Sequence, residues 1–99
     1  MNIVTIDFET YYDKEYSLSK MTTEEYVNDS RFQIIGVGIS VNYRAVWHTG
    51  HADNLNVLFG EGSWLKENMH DYAILCHNTL FDGAILAWKF GIKIGRAHV

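Results

Sequence analysis

Residues Asn2 to Glu9 alternate strictly. Val4, Ile6 and Phe8 fall on one side of an extended chain, and Thr5, Asp7 and Glu9 fall on the other. A period of two fits a strand with one apolar and one polar face, because a helix would scatter both sets around its axis. The segment is therefore expected to be a β-strand that buries three side chains on one face and presents two carboxylates on the other.

The rest of the chain supplies partners for that strand. Gln33 to Val41 is β-branched and apolar, and Arg44 to His48 follows the polar pair Asn42-Tyr43, which predicts a hairpin. Tyr72 to His77 reads as a further compact strand. Thr10 to Lys20 is polar and Tyr-rich. Thr22-Thr23-Glu24-Glu25 then has the pattern of a capping box, with Met21 and Tyr26 placed as a hydrophobic staple, so a short helix is expected from about Thr23 to Asn28. Between Asp53 and Met69, Gly60 and Gly62 predict a loop, followed by a helix carrying Trp64, Leu65 and Met69. Asn78 can cap a last helix that buries Phe81, Ile85 and Trp88 and ends near Gly91. The larger elements run three strands, helix, strand, helix, which predicts an α/β fold with a mixed sheet.

A chain of 99 residues has room for one domain, and 47% hydrophobic residues are far more than a disordered segment carries. The formal charge of −4 offers no basic footprint for a broad electrostatic grip on nucleic acid. Bound cations can invert that local field, however. The single cysteine, Cys76, cannot form an internal disulfide, which fits a reducing cytoplasm. Neither a secretory pattern nor an apolar run of membrane-spanning length is visible, so no membrane partner is expected. His48, His51, Cys76 and His77 do not form the two ligand pairs of a standard zinc site. Gly36-Val37-Gly38 lacks the third glycine of a dinucleotide fingerprint and continues as strand. Tyr11, Tyr12, Tyr16 and Phe32 either stack bases or pack a loop onto the core.

Chemistry concentrates in two places. Asp7 and Glu9 are two apart on a strand, so both carboxylates share a face and can reach one ion; without a cation between them they repel. A simple solvated face is the alternative. Asp82 lies in the first turn of the last helix, where it could act on a ligand or merely complement the helix dipole.

Ile6-Asp7-Phe8-Glu9-Thr10 and Asn78-Thr79-Leu80-Phe81-Asp82 resemble the first two motifs, D-x-E and N-x-x-[FY]-D, of the DEDD (DnaQ-like) 3′–5′ exonucleases, in that family's order. Tyr11-Tyr12-Asp13, the stretch Leu18 to Tyr26 and His77 to Gly83 look more narrowly like the proofreading domain of family A DNA polymerases carried by phages. The resemblance implies an RNase H-like fold and hydrolysis of 3′-terminal nucleotides from DNA with two Mg²⁺ or Mn²⁺ ions. It implies that Asp7 binds both ions, that Glu9 binds one and helps place the attacking water, and that Asp82 binds the other. Thr10, Asn78 and Phe81 would support the site or the terminal nucleotide. The implied partners are the single-stranded 3′ end of DNA and the remainder of a larger polymerase chain, in the cytoplasm of a bacterial host or phage-infected cell.

The family's third motif, Y-x-x-x-D or H-x-x-x-x-D, does not follow Asp82. The spacings His48 to Asp53 and His77 to Asp82 are coincidental, since the first precedes the second motif and the other reuses its Asp. Ile94-Gly95-Arg96-Ala97-His98-Val99 looks like a translated sequencing adapter, so residues 1–93 are expected to be the N-terminal part of an exonuclease domain, inactive alone, and 94–99 a non-native tail. Three rivals differ in chemistry. A phosphatase-like hydrolase needs D-x-D-x-[TV], which Glu9 and Tyr11 both fail. A non-catalytic RNase H-like binding module would not need its carboxylates, and a free-standing exonuclease would act on short RNA.

Overall fold

The computed structural model describes residues 2–68 and 71–94. Its elements are β1 (Asn2–Thr10), α1 (Thr23–Asn28), β2 (Ile34–Val41), β3 (Arg44–Thr49), α2 (Ala52–Phe59), α3 (Trp64–Asn68), β4 (Tyr72–Cys76) and α4 (Thr79–Phe90). The strands form one mixed sheet in the order β3-β2-β1-β4. β1 is antiparallel to β2 and parallel to β4, so the alternating segment lies inside the sheet with a partner on each side.

The alternation of β1 divides as expected. Val4, Ile6 and Phe8 are at most 4% exposed, whereas Asp7 and Glu9 face solvent. Each such apolar side chain contributes about 1.5–3 kcal/mol by leaving water, so β1 is pinned to one register. A one-residue slip would bury the two acids instead. Phe8 meets Phe59 of α2 at a ring-centroid distance of 5.5 Å and Phe90 of α4 at 6.3 Å, which joins strand and helices in one aromatic cluster. No helix among the described residues is long and apolar enough to cross a membrane.

The β2–β3 hairpin closes through Asn42 and Tyr43, both at positive φ (50° and 73°), the combination whose twist suits a two-residue hairpin loop. Asn42 also ties the turn to the central strand: its N–H donates to the Ile3 carbonyl at 2.8 Å, and its Oδ1 accepts from the Ile3 N–H at 2.9 Å. Around α1 the capping box is complete, with the Thr22 hydroxyl accepting from Glu25 N–H and the Glu25 carboxylate accepting from Thr22 N–H. Tyr26 is buried and Met21 packs against the core, as a staple requires.

Four expectations need correction. The stretch before Gly60 is helix α2, not loop: Leu55, Leu58 and Phe59 form an apolar stripe at helical spacing, and Gly60 ends the helix with its N–H bonded to Asn56 O. Trp88 is 49% exposed; the buried side of α4 is Phe81, Asp82, Ile85 and Leu86. β4 stops at Cys76, one residue short of His77, while β3 extends one further to Thr49. Gly91 closes α4 in the left-handed conformation, φ 68°. Met69 and residues 95–99 lie outside the described residues; Ile94, counted with the expected tail, packs partly against the core.

On the polar face of the sheet, Gly36 and Gly38 of β2 differ sharply in their surroundings. A Cβ on Gly36 would lie 2.0 Å from Cζ2 of Trp47, whereas one on Gly38 would meet only the Asp7 carbonyl oxygen at 3.9 Å. Gly38→Ala should therefore hold or raise stability, by up to about 1 kcal/mol, and Gly36→Ala should lower it by about 1–3 kcal/mol as Trp47 is displaced. Urea denaturation of both variants checks this; equal effects would mean that Trp47 does not rest on Gly36.

Candidate functional site

The candidate residues gather where the parallel strands β1 and β4 end. Their last paired residues are Ile6 and Cys76, after which the chain turns through His77 and Asn78 into α4. The start of α4 is fixed by Asn78, whose side-chain oxygen accepts from the Phe81 N–H at 3.3 Å. One residue further on, Asp82 folds back over this turn. Its Oδ2 accepts from the Asn78 N–H at 3.2 Å, and its Oδ1 accepts from the Phe8 N–H at 3.1 Å. β1 runs on past its last pair with β4, and at Phe8 the carboxylate takes the place of the missing strand. The second motif thus docks onto the backbone between Asp7 and Glu9 of the first.

Asp82 is 1% exposed, and burial pushes its carboxyl up to about 6, assisted by the negative charge of Asp7. The two N–H donors and His77 oppose that rise without cancelling it. Burial, with the charges of Asp82 and Asp7, also raises the Cys76 thiol to about 12. Cys76 is therefore a protonated, buried thiol with no nucleophilic character at neutral pH. These mutual effects bring Asp7 and Asp82 into one electrostatic neighbourhood.

Glu9 lies further along the same exposed face of β1, opposite Gly36, as Asp7 lies opposite Gly38. Among the described residues, no three His, Cys, Asp or Glu side chains converge closely enough to hold a metal ion, so Asp7, Glu9 and Asp82 do not form a three-ligand cage as they stand. His48, His51, Cys76 and His77 do not converge either. In kind the donors suit a hard divalent cation: all are carboxylates, and each Asp82 oxygen accepts one N–H and keeps lone-pair capacity.

The supporting residues are structural at close range. Phe81 is 9% exposed and packs in the core near Tyr26, at a ring distance of 5.9 Å. The Tyr26 hydroxyl donates to the Tyr11 carbonyl, so the Thr10 hydroxyl, 2.8 Å away, donates to Tyr26. Tyr16 is fully buried and stacked on Tyr26 at 4.4 Å, which holds the loop after β1 in place, while Phe32 packs against the core and edge-on to Tyr26. Tyr11 and Tyr12 stay exposed.

Sequence reasoning missed Trp47, which covers Gly36 beside Glu9. Its position depends on the β2–β3 register, which only the turn residues Asn42 and Tyr43 could have suggested. A separate cavity of about 460 Å³ lies on the opposite, apolar face of the sheet between the hairpin and α2–α3, and none of the candidate residues lines it. Comparison of the chain with protein-family models, curated proteins and solved structures gave no match.

The raised Asp82 value makes stability depend on pH with a definite sign. The folded state holds the Asp82 proton more tightly than the unfolded chain does, so this contribution is complete below about 4 and is lost as pH rises through about 6. The lowered carboxyls of Asp13, Asp29 and Glu25 act in the opposite sense, and only at lower pH. In metal-free buffer, urea midpoints should fall between pH 4 and 6.5, and Asp82→Asn should flatten that slope while lowering stability throughout. An unchanged slope in the variant would assign the titration to another group.

Proposed function

We propose that this chain is part of a metal-dependent 3′–5′ exonuclease domain of RNase H-like fold, acting in a DNA polymerase to remove mispaired 3′ nucleotides. The observation that carries the reading is the bond from the Phe8 N–H to Asp82, which joins the two motifs at one strand end. The sheet order β3-β2-β1-β4, with the first strand central and parallel only to β4, supports it. Ligands of α/β sheets also favour the carboxyl ends of parallel strands, where these acids sit.

In this reading Asp7 and Glu9 provide the open carboxylates. Neither side chain has a hydrogen-bond or ion-pair partner among the described residues, so both are free to receive a cation. Asp82 completes the pair with Asp7 from the helix side, and its raised proton affinity falls when a cation replaces the proton. When bound, Mg²⁺ or Mn²⁺ would supply Lewis-acid stabilisation of the charge that develops on the phosphodiester. Asn78 fixes the helix start that aims Asp82, Phe81 anchors that helix, and Thr10 holds the strand end through Tyr26. A fourth acid, and the group that orients the attacking water, would come from further polypeptide of the polymerase.

Titration of the purified chain with Mn²⁺, followed by electron paramagnetic resonance, tests the site directly. Asp7→Asn should weaken binding at least about tenfold, as loss of one charged ligand commonly does. Equal affinity of wild type and variant would leave the non-catalytic module as the better reading. Cleavage of matched 5′-labelled DNA and RNA strands by the longer polymerase chain separates proofreading from RNA trimming: DNA should give a ladder shortened from the 3′ end.

A further inference from the structure

Asp7 and Glu9 share their sheet face with one large exposed aromatic side chain on the same two rows of residues. Asp7 pairs with Gly38, and Gly38 pairs in turn with Trp47; Glu9 pairs with Gly36, and Gly36 with Thr49. Paired residues point to the same face, so Asp7 and Trp47 stand on that face with only a glycine between them. Neighbouring strands are about 4.8 Å apart, which sets the two backbones roughly 10 Å from each other.

The intervening surface is a shallow trough. At Gly38 its floor is bare backbone, with the Asp7 carbonyl oxygen as the nearest atom to a hypothetical Cβ, at 3.9 Å. At Gly36 the floor is covered by the six-membered ring of Trp47, with Cζ2, Cη2 and Cε2 all within 2.7 Å of where a Cβ would be. This contact fixes the indole from below and leans it toward the Glu9 row, yet Trp47 is still 54% exposed. Burial explains little of a Trp placed so openly. An aromatic surface held against backbone beside carboxylates that can carry a cation has the two elements a single-stranded nucleotide needs: a platform for the base and a charge for its phosphate.

We propose that Trp47 is a substrate-positioning residue that stacks a nucleobase of single-stranded DNA whose phosphate lies at Asp7 and Glu9, with Gly38 leaving room for the sugar between them. The proposal rests on the exonuclease reading and adds to it the surface that orients the strand.

Fluorescence anisotropy of a 5′-labelled DNA hexamer in Ca²⁺, which permits binding without turnover, is the test. Trp47→Leu keeps an apolar cover over Gly36 but removes the stacking face; it should bind the hexamer about tenfold more weakly or worse, while Trp47→Phe stays within a few-fold of wild type. The Trp47→Leu penalty should shrink for a hexamer with an abasic 3′-terminal nucleotide, and Gly38→Val should weaken binding by filling the trough. If Trp47→Leu binds as wild type does while Asp7→Asn abolishes binding, the platform is wrong and the metal-site reading stands. If the wild-type chain binds no DNA at all, both fall.

Discussion

The buried carboxylate of Asp82 is the contact on which the geometry of the site depends. It accepts two backbone N–H groups from different parts of the chain, one on the central strand and one at the helix start. Without it, Phe8 N–H would face a buried space with no partner, a loss comparable to that of a full hydrogen bond. An asparagine could accept one of these bonds but would turn a donor toward the other. The strand end and the first turn of α4 are thereby locked together, and the position of Asp7 relative to the helix follows from that lock. The cost is an acid out of water beside another acid, visible in its raised proton affinity.

The two faces of β1 explain why the lock can be tolerated. The apolar face joins Val4, Ile6 and Phe8 to the helices through a dense aromatic cluster, so the strand does not shift to relieve repulsion between acids. The polar face has almost no side-chain cover on β2, because Gly36 and Gly38 stand opposite Glu9 and Asp7. The same strand thus has a packed back and, opposite Asp7, an open front.

Much of this was legible in the sequence where a local rule determines the answer. The period-two pattern of residues 2–9, the capping box at Thr22, the Asn78 cap and the left-handed Gly91 all act over a few residues, and each appears as expected. The failures involve tertiary context. Gly60 has the local signature of a breaker, but it is the end signal of a helix whose short Leu55-Leu58-Phe59 stripe gains its meaning only from packing against the sheet. Trp88 has the spacing of a buried residue, yet α4 is rotated so that Asp82 and Leu86 point inward instead. That rotation follows from Asp82 reaching Phe8, a contact between residues 8 and 82 that no local pattern contains.

Asp82 would be retained by a protein that used it only to join strand and helix, so its presence alone argues little for chemistry. Asp7 and Glu9 are different: their side chains have no hydrogen-bond or ion-pair partner among the described residues, and they stand on the exposed side of a strand whose stability comes from its other face. Asp7 also raises the proton affinity of the buried Asp82, in a chain that already carries a charge of −4. A divalent cation bound there, as proposed, would offset the repulsion between Asp7 and Asp82. The proposed cation site therefore turns on Asp7 and Glu9, whose side chains the packing does not use, while Asp82 holds their strand still.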